Sequence, residues 1–411
     1  MERILFVAND FPYPPHHGDA VHTWSLILGL KQLGFALDLI ATVRTIPKQE
    51  YVIAVKEIVD HLFIIERGRS ISALLSLTPF QVRSREALQN IDLSETYDVV
   101  LLKSDYVSPI LANADLKAKV RILVADGESR YFRALSKCAD SWWERCFYSA
   151  EALKFDRFSP RFRSKCDLLW FVSDWERTLH VRKNPKDSFK AVFLPPDPGV
   201  ENMRPYSGDG REALFIGSLT IPLNVEGLEW YVEHVHPRLS LIPGYSFIVA
   251  GRTAGAPSAA LSRIISRYPN ISLYSDPEEL NDLYRRAAVF VNPVLRGAGI
   301  KLKTINALQA GVPVVSTSIG MEGTGLIDGM HLLVADSSDD FVNNVAALLR
   351  DSSLAERLVC SAQSFLAETY ESKRNIRKSL SSVLPAHSGS ASRHANRGDI
   401  SVKHKNEVGE R

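Results

Sequence analysis

Cysteine is scarce. The chain has four in 411 residues (Cys138, Cys146, Cys166 and Cys360), with no CxxC pair and no metal-ligand spacing. This argues against a disulfide framework or a structural zinc site, and reads as reduced thiols in a cytosolic protein. Long apolar runs are also missing. No stretch approaches the roughly 18 apolar residues of a membrane-spanning helix. The opening MERILFVAND turns polar at Asn9-Asp10, too early for a signal peptide. Charge of one sign is lacking too: the net charge is +2, which gives no global case for nucleic acid. No repeat is visible.

What the sequence does have is 45% hydrophobic content, enough for full cores, and a length that suggests two domains. Short apolar runs alternate with helical patterns. In the first half, strands are expected at Ile4–Val7, Leu37–Thr42, His61–Ile65, Val99–Leu102, Arg121–Val124 and Leu168–Val172. A helix is expected over Ala20–Leu33, with Gly34 past its end, and another over Asp140–Arg163. The rhythm restarts at Ala213–Ile216, with a helix over Val225–Val235 and strands at Ser246–Ala250, Ile271–Leu273, Val289–Asn292 and Val312–Ser316. This is an α/β pattern with parallel sheets covered on both faces. The Pro- and Gly-rich stretch 193–212 reads as a linker between residues 1–192 and 213–364. Residues 385–411 lack an apolar face and read as a disordered tail.

In open α/β sheets, ligands collect at the carboxyl ends of the strands. After the first strand, a proline-stiffened loop carries His16 and His17 and enters a helix at Gly18, with His22 following. The unpaired N–H groups of such a helix start favour an anion. No GxGxxG is present. Asp126-Gly127-Glu128 stands at another strand end, where Asp126 could orient a hydroxyl, act as a base, or cap a helix. Gly217-Ser218 would let a ligand approach the backbone, and Asn224 reads as a helix cap. Arg252 ends a further strand and suits an oxyanion or a salt bridge.

The stretch LRGAGIKLKTINALQAGVPVVSTS, from Leu295 to Ser318, is the most distinctive. Gly297 and Gly299 make a turn, and Lys301 and Lys303 follow at the helix start. Two ammonium groups and a helix end favour a highly charged anion such as a diphosphate. Lys303 and Asn306 share a helix face, expected to include Ala307 and Ala310, while Ile305 and Leu308 face the sheet. Lys301 is about 200° from Lys303 on an ideal helix, so both reach one anion only if the first turn is not helical.

Together, FPYPPHHGDAVHTWSLILGLKQLG, FVSDWERTL, LFIGSLTIPLNVEGLEWYVEHVHPRL, FIVAGR, ELNDLYRRAAVFVNPV and GAGIKLKTINALQAGVPVVSTSIGMEG resemble glycosyltransferase family 4 over about residues 3–380. The resemblance implies the GT-B fold: two Rossmann-like parallel-sheet domains facing a central cleft, with a C-terminal helix (about 365–384) returning to the first domain. It implies a retaining, metal-independent enzyme with no cofactor. A nucleotide-sugar donor would bind the second domain, and a glycan or lipid-linked acceptor the first. Gly18, Gly217, Ser218, Arg252, Gly297, Gly299, Lys301 and Lys303 would then surround the diphosphate. Tyr274 would lie near the base and Asn306 near the ribose; from the residues alone, Asp126 and His16 are the candidate catalytic groups.

The chain departs from the family pattern. Asn306 stands in place of the second glutamate of Glu-x7-Glu, no acid stands near Arg296–Gly299 for the first, and the first loop reads Gly18-Asp19 rather than Gly-Gly. It is closer to a branch with GG-x-[RK]-L-K. Asn306 and Asp19 leave open a catalytically inactive nucleotide-binding or scaffold protein. A nucleotide-sugar epimerase would need an acid/base set that these residues do not supply. Finally, KFDRFSPRFRSK (154–165) follows Trp142, Trp143, Phe147 and Tyr148. Such a segment either rests on an anionic membrane at the inner face of the cell or forms a helix with core aromatics and a solvated basic face. The apolar stretch Ile71–Ser84 is a second candidate acceptor loop.

Overall fold

The computed structural model describes residues 2–15, 18–68, 76–139, 141–196, 203–208, 210, 212–253, 259–277, 279–297 and 299–384. His16, part of the expected linker, most of the stretch Ile71–Leu77 and the tail 385–411 lie outside the described residues.

The strands are β1 (Arg3–Ala8), β2 (Ala36–Val43), β3 (His61–Glu66), β4 (Thr96–Lys103), β5 (Lys117–Ala125), β6 (Leu168–Phe171), β7 (Ala191–Phe193), β8 (Glu212–Ile216), β9 (Phe247–Gly251), β10 (Ile271–Ser275), β11 (Ala287–Asn292), β12 (Val314–Ser316) and β13 (Leu333–Val334). Strands β7 and β13 have three and two residues, too few to show a period, and were not expected. All pairings are parallel, in the orders β3-β2-β1-β4-β5-β6-β7 and β10-β9-β8-β11-β12-β13. The central strands are apolar and buried on both faces, as covered parallel sheets require: Ile4 to Ala8 and Ala213 to Phe215 are fully buried.

Both sheets reverse direction at the same point in their winding. β1 lies between β2 and β4, with Val7 opposite Ile40 and Leu102. β8 lies between β9 and β11. The crevices at these two switch points are where such sheets bind ligands. The helices Gly18–Gln32 and Leu302–Gln309 begin beside them.

The last helix, Ser372–Leu380, packs on Gly18–Gln32, with buried Ile376 close over Gly29 and Ser379 accepting a hydrogen bond from Trp170 Nε1 at 2.6 Å. The preceding helix, Ser352–Thr369, belongs to the second unit, and the Tyr370 hydroxyl anchors to the Thr324 carbonyl at 2.7 Å. The chain therefore changes units between Thr369 and Ser372. The end of the linker is also strapped to the second unit: Arg204 N–H donates to Gln309 and its carbonyl accepts from Gln363.

Candidate functional site

The second unit supplies the cationic wall. Gly297 (φ +151°) and Gly299 (φ +70°) turn the chain in a region that favours glycine. Lys301 is the residue before the helix and is not helical (φ −98°, ψ 87°), so the angular objection to two converging lysines does not apply. Lys301 Nζ donates to the Gly299 carbonyl at 2.7 Å. Lys303 Nζ donates to Asn224 Oδ1 at 2.8 Å and lies 4.7 Å over the Phe215 ring. Burial pushes Lys301 down to about 8, against the opposing pull of Glu322 and Asp126. Burial pushes Lys303 down to about 7, and repulsion from Lys301 adds to it. Both ammonium groups are thus held below their ordinary range by partial desolvation, and a bound anion would oppose that shift.

The floor is built from small residues. A Cβ on Gly217 would come 3.2 Å from Lys303 Nζ, and one on Gly251 would collide with the Gly217 carbonyl. Asn224 does not cap its helix, which already begins at Pro222. Instead its Nδ2 donates to the Ser218 carbonyl at 2.9 Å while its Oδ1 holds Lys303. Ser218 Oγ bonds Thr220 Oγ1 at 2.8 Å. Asn306 is half-buried three residues beyond Lys303. Ala307 departs from expectation: it is buried in the core with Ile305 and Leu308. Ala310 departs too. The helix ends at Gln309, and Ala310 lines a separate cavity of about 250 Å³ with Arg204 and Gly311.

The first unit faces this wall closely. Gly18 opens its helix, and a Cβ there would meet the Leu302 side chain at 3.5 Å. Asp19, in the second-glycine position, accepts from Lys103 Nζ at 2.6 Å and is held down at about 2 by that ammonium despite burial. His22 is buried with Nε2 unpartnered. Burial and Lys103 push it down to about 3, so it is neutral.

Asp126 faces the glycine turn: a Cβ on Gly299 would lie 2.9 Å from its Oδ1. That oxygen also accepts from Gly127 N–H at 2.8 Å, and Arg163 donates to the Asp126 carbonyl at 2.6 Å. Glu128 is pushed up to about 8 by burial, then by the carboxylates of Asp105 and Asp126, and so holds a proton at neutral pH. Burial also raises Glu176, with Asp126 adding to it. Arg130 bridges the cleft. It donates to Glu322 Oε2 at 2.6 Å and to Glu176 Oε1 at 3.3 Å, and stacks 4.2 Å over Trp175.

Arg252 follows β9 and Tyr274 lies in β10, the two strands on one side of β8. Arg252 is exposed beyond Gly251, its carbonyl accepting from Leu219 N–H. Tyr274 is half-buried, and its hydroxyl accepts from Arg286, which pairs with Glu212 at the first residue of β8. Tyr274 itself lies opposite Ala250, one residue from the Gly251 end of β9. The sequence reading missed Lys103, Asn224 as a lysine holder, Arg130 and Glu322. Lys103 had a signal, as a lysine ending an apolar strand.

Two facing Rossmann-like units with a cationic cleft at their switch points define a two-domain nucleotide-type binding fold. Comparisons make the class specific. The family model for group 1 glycosyl transferases matches residues 210–351. An uncharacterized 44.6 kDa protein from the cps region of Klebsiella pneumoniae is 33% identical over 389 residues, covering 91% of this chain and 98% of its own. The lipopolysaccharide core biosynthesis mannosyltransferase LpsB of Rhizobium meliloti is 28% identical over 192 residues, 43% of this chain and 52% of LpsB. The structure of S. aureus TarM with fondaparinux, α-GlcNAc-glycerol and UDP superposes with TM-score 0.67 at 9% identity, covering 92% and 99% of the two chains. The chain belongs to the group 1 glycosyltransferases and has their GT-B architecture.

Proposed function

We propose that this glycosyltransferase is a retaining, metal-independent enzyme of surface polysaccharide assembly. It moves a sugar from a nucleotide-diphosphate donor to a glycan or glycolipid acceptor. Within its family we assign it to the branch with the GG-x-[RK]-L-K donor motif. The observation that carries the reading is the pair of half-buried lysines, Lys301 and Lys303, both held below their ordinary range at a helix start in the cleft. As the anomeric C–O bond breaks, negative charge grows on the departing diphosphate. Cations already fixed there stabilise that charge more than the ground state. In this reading the lysines do the work a divalent cation does elsewhere.

The acceptor hydroxyl attacks the anomeric carbon from the face the diphosphate leaves. The new C–O bond forms as the old electron pair departs with phosphate, and the hydroxyl proton passes to a phosphate oxygen. Asp126, against Gly299, would orient that hydroxyl. Asn306 would meet the ribose as a neutral partner, weaker than a carboxylate by about 1 kcal/mol. The capsule-region relative and LpsB support the polysaccharide setting, and the UDP in TarM makes uridine diphosphate the first base to try.

The test is thermal stabilisation by UDP, GDP, ADP and TDP, with Lys303→Ala alongside. A ligand at 100 times its Kd adds about 2.7 kcal/mol. One nucleotide should shift the wild type and not the variant. No shift with any nucleotide at millimolar concentration would remove the diphosphate site.

A further inference from the structure

The helix Trp142–Arg163 has 22 residues and two unlike faces. Its inner face is fixed in the protein: Glu151, Ala152, Phe155, Ser159 and Phe162 are buried, and Phe132 stacks on Phe155. Among the described residues, nothing covers its outer face. Trp142 is 76% exposed, Trp143 59% and Leu153 55%. These three lie within one arc of the helix, with Cys146 and Ala150 between them, both exposed. Beside them, on the segment that joins the helix through Phe80 N–H to Glu151 and through the Phe80–Phe147 ring contact, Leu77 is 88% exposed. Two neighbouring tryptophans this exposed are unusual on a soluble surface.

The same outer arc changes character along its length. Beyond Leu153 it carries Arg157 and Arg161, both exposed, and Lys165 follows just past the helix end. The exposed Asp156 is taken up by Arg133 and the buried Glu151 by Lys154 at 2.8 Å, so the face is left basic. Half of the arc is thus aromatic and apolar, and half is cationic. That is the pattern of a helix lying in the headgroup plane, with indole rings at the boundary and arginines on anionic phosphates.

We propose that this face of Trp142–Arg163, with Leu77, docks the protein on an anionic lipid bilayer. The inference is independent of the donor-site reading. Among the described residues no helix is long and apolar enough to cross a membrane, so contact at this face is peripheral. Charge complementarity favours a bilayer over a second copy of the chain, whose matching face would bring the same arginines together.

The experiment is co-sedimentation of the full chain with vesicles of phosphatidylcholine, with and without phosphatidylglycerol. Wild type should bind the phosphatidylglycerol vesicles and scarcely the neutral ones. The double variant W142S/W143S should lose at least about tenfold in affinity. R157Q/R161Q should lose about thirtyfold, from two charges near an anionic surface. All four side chains are exposed, so the variants should melt with the wild type, and Lys303→Ala should bind vesicles as wild type does. Three results would overturn the proposal: no binding to the anionic vesicles, equal binding by wild type and both variants, or a concentration-dependent dimer that W142S/W143S abolishes.

Discussion

Lys303 makes the cleft's chemistry measurable through pH. Its ammonium is pushed down to about 7 by burial and by Lys301, with no carboxylate bonded to it; its partner is the neutral Asn224. In the free protein it is therefore about half charged at pH 7 and about one-hundredth charged at pH 9. A bound diphosphate would restore the charge, so each binding event above pH 7 takes up a proton. If the bound lysine stays charged through pH 9, the dissociation constant rises by about fiftyfold from pH 7 to pH 9. Nucleotide phosphates are already fully ionised over most of that window, so they do not add to the slope. Lys301, pushed down to about 8, steepens the fall above pH 8.

Stability of the free protein moves the other way. The unfolded chain holds the Lys303 proton up to about 10.5 while the folded chain releases it near 7. The lysine's contribution to stability therefore rises with pH between those values. Isothermal titration with the nucleotide that shifts melting, repeated in buffers of different ionisation enthalpy, reads both the affinity and the proton uptake. Lys303→Met should flatten the pH dependence. A Kd constant from pH 7 to pH 9, with no proton uptake, would refute the argument that a bound anion recharges Lys303.

Three other outcomes follow from the same geometry. Glu128 is pushed up to about 8, so the native state keeps a proton that the unfolded chain loses near 4.5. Stability should fall with rising pH across that window by roughly 1.4 kcal/mol per unit. Glu128→Gln should remove the slope in urea melts, and an unchanged slope would assign it elsewhere. Gly299→Ala places a Cβ at φ +70° and 2.9 Å from Asp126 Oδ1, and should cost about 1–2 kcal/mol in urea unfolding as well as nucleotide binding. A wild-type denaturation midpoint would contradict the turn geometry. Arg130→Ala breaks the bridge from Glu176 to Glu322 across the cleft, and the radius of gyration by X-ray scattering should increase. An unchanged radius would mean that Arg130 does not hold the units closed.

Much of this architecture could be read from the chain because its causes are local. Alternating buried strands and amphipathic helices leave a period, and Gly297, Gly299, Lys301 and Lys303 sit within seven residues of one another. Helix geometry also poses the question of whether both lysines could face one anion, and the non-helical Lys301 removes the angular obstacle. What stayed hidden is supplied from far along the chain. Lys103 meets Asp19 across 84 residues, Lys303 meets Asn224 across 79, and Arg130 meets Glu322 across 192. Local pattern could not tell that Asn224 holds a lysine and not a helix end, because a capping asparagine and a lysine-holding one look alike in sequence. Tyr274 is a similar case: its strand position is legible in the rhythm, but the arginine that holds its hydroxyl sits 12 residues away on another element. The helix Trp142–Arg163 lies between these cases. Its composition allowed either a core or a membrane face. Only packing separates the aromatics that turn inward, Phe155 and Phe162, from the two tryptophans left in solvent. A residue's chemistry is local, but its role depends on what the fold places opposite it.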